Sequence, residues 1–84
     1  MNSEPKPVRF SHEEAQAKLG HRVCSLLTLD GIAKGTFGRV MQIDEIEKNG
    51  FELIIEWDTR IEGKLQHDWF NKEQFERCLV DEVS

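Results

Sequence analysis

Eighty-four residues with a formal net charge of -5 make one small domain. A chain this short removes only about 60% of its unfolded surface from water, so its core is thin and argues against a deep, self-contained catalytic cavity. The negative balance opposes an electrostatic grip on nucleic acid, which needs Lys and Arg set against phosphates. No apolar run nears the roughly 18 residues of a membrane span.

Residues 1–9, MNSEPKPVR, are polar with two prolines and read as a disordered arm, leaving residues 10–84 as the single domain. The arm has no apolar stretch of the signal-peptide kind. FSHEEAQAKLG reads as a short N-terminal helix over 11–19. Ser11 and Glu14 have the spacing of a capping box, Phe10 precedes it as a staple onto Ala15, and Gly20 is placed to end it in a left-handed conformation. Ala15 and Leu19 are expected to share its buried face.

HRVCSLLTL then reads as a strand, and DGIAKGTFG, with Gly31, Gly35 and Gly38, as a long turning loop. RVMQIDEIE is a second strand. Asn49-Gly50 predicts a hairpin into a third strand, FELIIEW. There Phe51, Leu53, Ile55 and Trp57 alternate with Glu52, Ile54, Glu56 and Asp58, a period of two with one apolar lapse at Ile54. DTRIEG reads as a turn or an extended loop tip and KLQHDWF as a fourth strand. Asn71 caps a helical turn, KEQFERC, with Gln74 bonding back to it. LVDEV closes the chain as a fifth strand.

This order predicts a mainly β domain: an SH3-like barrel of about five antiparallel strands, with a short N-terminal helix and a short helical turn before the last strand. The competing arrangement is an open antiparallel sheet with the helix on one face. The stretches GHRV, DGIAKGTFGRVMQI and NGFELIIEWD resemble small SH3-like barrels, KOW-type domains among them, over residues 20 to 70. The resemblance implies the fold and no function. The basic residues with which KOW-type domains engage RNA are mostly missing from this chain.

The charge is unevenly spread. Residues 44–62 hold seven acids (Asp44, Glu45, Glu47, Glu52, Glu56, Asp58, Glu62) against Lys48 and Arg60, while residues 1–43 carry a net excess of bases. This acidic middle suggests docking on a protein partner with a basic surface. The candidate partner-binding residues are Glu52, Ile54, Glu56, Trp57, Asp58 and Trp69, with the two tryptophans as an exposed aromatic platform. The plainer reading makes Trp69, Phe70 and Phe75 parts of the core, Phe75 plugging a barrel end beside Leu79. A proline-binding groove of the SH3 kind is rich in tyrosine, and the chain has no Tyr.

Two alternatives accompany the docking reading. Met41, Ile43 and Ile54 could form an apolar strand face covered by a second copy, a homodimer or structural subunit. Lys34 and Arg39 in the glycine-rich loop, with Lys6 and Arg9 of the arm, could form a weak nucleic-acid contact.

Chemistry finds little support. His67 and Asp68 are strand neighbours pointing to opposite faces, so they cannot form a dyad. Of His21, Cys24, His67 and Cys78, only His21-x-x-Cys24 has a tolerable spacing for zinc, so no metal is expected. Cys24 reads as a small core residue, and neither cysteine has the CxxC spacing of a redox pair. The glycine-rich loop lacks the order of a phosphate loop. Ser25 has no placed histidine, so no catalytic residue and no cofactor are assigned. A cytoplasmic setting with reduced thiols is the expectation.

Overall fold

A computed structural model describes residues 8–82. In chain order it contains α1 (His12–Lys18), β1 (Arg22–Ser25), β2 (Phe37–Glu47), β3 (Gly50–Ile61), β4 (Lys64–Phe70), α2 (Lys72–Cys78) and β5 (Leu79–Glu82). Every strand pairs antiparallel, in the order β4-β3-β2-β1-β5. The sheet does not close, because β4 and β5 remain its two edges, so it is a barrel only in approximation. Helix α2 connects those edges.

The two helices begin as their sequences dictate. The Ser11 hydroxyl accepts from the Glu14 N–H while Glu14 accepts from the Ser11 N–H, and Asn71 and Gln74 repeat the arrangement at α2. Gly20, with φ +86, follows the last turn of α1. Only Ala15 of α1 is buried. Leu19 is exposed, because the chain turns away at the cap instead of continuing the helical face.

Strand β3 sets the layout. Leu53, Ile55 and Trp57 point into the core with Val23, Val40, Ile32, Phe70, Phe75 and Leu79, and half-buried Phe51 packs against them. Each such side chain contributes about 1.5–3 kcal/mol by leaving water. Glu52, Ile54, Glu56 and Asp58 take the outer face. Gly38 sits opposite Trp57. A Cβ there would lie 2.9 Å from both the Glu56 carbonyl oxygen and the Trp57 ring, so glycine lets β2 close over the indole. Phe10 bridges Phe51 through backbone bonds of 3.1 and 2.9 Å and meets Phe75 edge-on, sealing one end of the core.

Several expectations are corrected. The first strand stops at Ser25, whose hydroxyl donates to the Leu27 carbonyl at 2.5 Å and turns the chain, leaving Leu26 and Leu27 exposed. Cys24 faces outward and is half-buried, because Val23 and Ser25 take the inner positions. The hairpin turns through Lys48 and Asn49, the latter at φ 62. Gly50 is already in β3, and glycine fits there because a Cβ would meet the Glu47 side chain at 2.7 Å. The supposed loop DTRIEG is mostly strand. β3 continues to Ile61 and turns through Glu62 and Gly63, both at positive φ, as a second tight hairpin.

Met41, Ile43 and Ile54 do not share a face. A bulge between Val40 and Gln42 makes Met41 the extra residue, Ile43 pairs with inward Leu53, and Ile54 lies outward. Of the arm expected over 1–9, residues 1–7 lie outside the described residues. Val8 accepts a backbone bond from Lys72, and Arg9 pairs with Glu47 and Glu52. Among the described residues no helix is long and apolar enough to cross a membrane.

Candidate functional site

Alternation along β4 separates its two aromatics. Phe70 enters the core, and Trp69 stands on the outer face, 51% exposed. The platform expected from Trp57 and Trp69 together does not form. Trp57 is 0% exposed, because it occupies an inward position of β3, and its indole N–H donates to Asp68 at 2.8 Å. That bond satisfies a polar group that would otherwise be costly to bury.

Trp69 makes a different contact. Its indole N–H donates to Asp44 of β2 at 3.2 Å, although β3 lies between the two strands. The side chain therefore reaches across β3. Beneath that path is Ile54, which faces outward yet is only 6% exposed, flanked by Trp69 and Gln42 in the ladder. The apolar lapse in the β3 alternation is thus explained: Ile54 is the seat of Trp69.

The acids singled out by charge density are paired within the chain. Glu52 lies 3.5 Å from Arg9. Glu56 meets Arg39 at 3.6 Å and His67 at 3.1 Å. Asp58 meets Arg22 at 3.3 Å, with both side chains more than half exposed. Exposed pairs of this kind contribute little and exchange partners readily. Arg39 and Arg9, the proposed phosphate contacts, are spent in the same pairs. By contrast, among the described residues Asp30, Asp44 and Asp68 have no cation within salt-bridge distance. Asp44 and Asp68 are each held by an indole N–H.

A cleft of about 220 Å³ lies beside β4. Asp68, Trp69 and Phe70 form one wall, Gln74 and Arg77 of α2 another, and Leu29 and Asp30 of the loop between β1 and β2 a third. It occupies the seam where the sheet fails to close. Sequence reasoning counted Asp44 in the acidic stretch and weighed Asp68 only for a dyad with His67, and placed neither of them, nor Asp30, among the partner-binding residues. Their spacing carries no local signal, since the seam and the cross-strand reach of Trp69 bring them to β4.

A second charged group lies at the far end of the sheet. Lys18 of α1 donates to Asp81, and His21 Nδ1 lies 3.2 Å from the same carboxylate. Burial pushes the Asp81 carboxyl up, but the bonds from Lys18 and His21 outweigh it and hold it below its ordinary value. The Lys72–Glu14 pair, at 2.6 Å, lowers the Glu14 carboxyl and raises the Lys72 ammonium while tying α1 to α2.

His67 bonds Glu56 on its own face, and Asp68 points inward, so the two are apart as expected from the alternation. His21, Cys24, His67 and Cys78 do not gather. Among the described residues no group of three or more His, Cys, Asp or Glu is close enough together to hold a metal ion. Compared with known protein families, with curated proteins and with solved structures, the chain matches none.

Proposed function

We propose that this domain is a non-catalytic, SH3-like protein-interaction module that docks a basic partner surface on the outer face of β2, β3 and β4. One observation carries the reading. Trp69 is half exposed, lies across β3 over Ile54, and donates to a carboxylate, Asp44, that has no cationic partner among the described residues. An indole face beside a free carboxylate suits a Lys or Arg side chain, by cation–π attraction and by charge together. Glu52 and Glu56 lie on the same face; the Glu56 pair with the exposed Arg39 can be handed to an incoming cation, whereas the Glu52 pair with Arg9 is largely buried. The KOW-like strand layout fits such a module, and the two free thiols fit a cytoplasmic setting.

The test is affinity capture from the source organism's lysate with the wild-type chain, Trp69→Ala and Asp44→Lys. The expected result is a protein retained by the wild type, released by salt, and lost with both variants. Identical capture by all three proteins removes the reading.

One observation favours a second copy as an alternative partner. On β5, β1 and β2, the side chains of Val80, Cys24 and Phe37 stand in one lateral row of the outer face, with Val80 and Phe37 exposed. Sedimentation of the wild type beside Phe37→Ser tests it. Self-association abolished by the substitution supports the homodimer.

A further inference from the structure

The two edges of the sheet are unequal. β5 has four residues, short enough to blunt its edge. β4 has seven residues and pairs on one side only, with β3. No backbone group of residues 64–70 bonds to another backbone segment beyond β3 among the described residues. The one local cover is the Gln66 side-chain amide, which donates to the Lys64 carbonyl at 3.0 Å. A strand of this length with an open row of N–H and C=O groups is a template for a further strand.

The cleft borders the last three residues of that edge, Asp68 to Phe70, with α2 and the β1–β2 loop as its other walls. Alternation on β4 gives the edge two sides. Trp69 marks the outer side and Asp68 the inner one. A strand laid along β4 would send alternate side chains over Trp69 and into the cleft between Asp68, Asp30 and α2. The inward direction meets carboxylates without a cationic partner, Asp68 and Asp30 in the cleft, whereas Asp44 lies two strands away under the far end of the Trp69 indole. The Asp68 carboxylate is oriented in advance, since Trp57 holds its Oδ2 at 2.8 Å. Arg77 is the cationic member of the cleft wall and lies on the α2 side.

We propose that the partner segment docked by this domain is an extended, Lys/Arg-bearing peptide that adds to the sheet along the free edge of β4, with alternate side chains entering the seam cleft. The proposal rests on the docking reading above and specifies the shape of what docks. Backbone bonds to β4 hold the segment, and Asp68 and Asp30 in the cleft select basic side chains.

A fluorescein-labelled, end-blocked heptapeptide of alternating valine and lysine serves as the probe. It is compared with two versions N-methylated on alternate residues, one in each register, which keep every charge. Binding is read by anisotropy on the full chain, and amide exchange locates the contact. The unmodified peptide is expected to bind and to slow exchange across residues 64–70. At least one methylated register is expected to bind about tenfold more weakly or worse, because two or three backbone bonds are lost. Equal affinity of all three peptides overturns strand addition, as does protection at 79–82 in place of 64–70. Binding that survives both methylations but falls with Asp44→Lys leaves the docking reading standing without the added strand. No binding by any peptide overturns strand addition, and the lysate capture then decides the docking reading alone.

Discussion

Trp57 and Trp69 stand on adjacent strands, and each indole N–H donates to an aspartate. The inner region around Trp57 is fully enclosed: Gly38 closes over the ring, Phe70 meets it edge-on at 6.2 Å, and Asp68 satisfies its N–H. The outer region around Trp69 uses the same chemistry with one face of the ring left in water. A hydrogen bond that in the first region removes a penalty for burial serves in the second to stretch an exposed ring across β3. The pair teaches that aromatic type and an aspartate partner do not separate core from surface. Strand parity does.

Truncating the two rings should break the symmetry most sharply. Trp57→Ala is expected to cost about 3–5 kcal/mol, enough to unfold much of so small a domain. Trp69→Ala should cost about 1–2 kcal/mol and remain folded, because half of the ring is already in water. Urea denaturation of both variants measures the difference, and comparable losses would mean that the Trp69 ring is as structural as Trp57.

A middle-sized effect is expected at the Lys18–Asp81 pair. The Asp81 carboxyl is depressed in the folded state, so its contribution is fully present above its unfolded value of about 3.9. It is lost as pH falls through the lower folded value. Lys18→Met should lower stability at neutral pH by about 1 kcal/mol, discounted for partial exposure. It should also flatten the fall in stability below about pH 4. Thermal melts from pH 2 to 7 check this, and parallel curves for the two proteins would rule out Asp81 as the acid-sensitive group.

The smallest effect on folding should come from Asp44→Asn, within about 0.5 kcal/mol, since the side-chain oxygen still accepts from the Trp69 indole. Capture of a basic partner should nevertheless weaken, because the carboxylate charge is gone. Unchanged capture would shift the docking site away from Trp69.

Much of the fold was legible because the signals were local. Ser11-x-x-Glu14 and Asn71-x-x-Gln74 named their own helix starts, and alternation from Phe51 to Asp58 gave the inner and outer faces of β3. KLQHDWF was legible to the residue. The bulge at Met41 was not, since an extra residue in β2 is defined by what β3 places opposite. The turn between β3 and β4 was legible, but its confinement to Glu62 and Gly63 was not, because an acidic residue at positive φ is a weak turn signal beside Asn49. The candidate site was the least legible part. Charge density pointed to Glu52, Glu56 and Asp58, whose cations arrive from Arg9, Arg39 and Arg22 on other segments. Asp44 and Asp68, each held by an indole N–H in place of a cation, stand out only once those long-range pairs are known.

The ladder between β1 and β5 joins Arg22 to Glu82, with β2, β3, β4 and α2 all lying between them in the chain. The meander of β2, β3 and β4 is joined by two tight turns and has short loops to close. Loop closure is slow and unfavourable in proportion to the chain it must gather, so the meander should assemble first and the β1–β5 ladder last. Leu53→Ala, in the meander, should then mainly slow refolding. Val23→Ala, opposite Asp81, should mainly speed unfolding. Stopped-flow chevrons of the two variants resolve the order of assembly, and identical partitioning would show that the distant ladder already exists at the barrier.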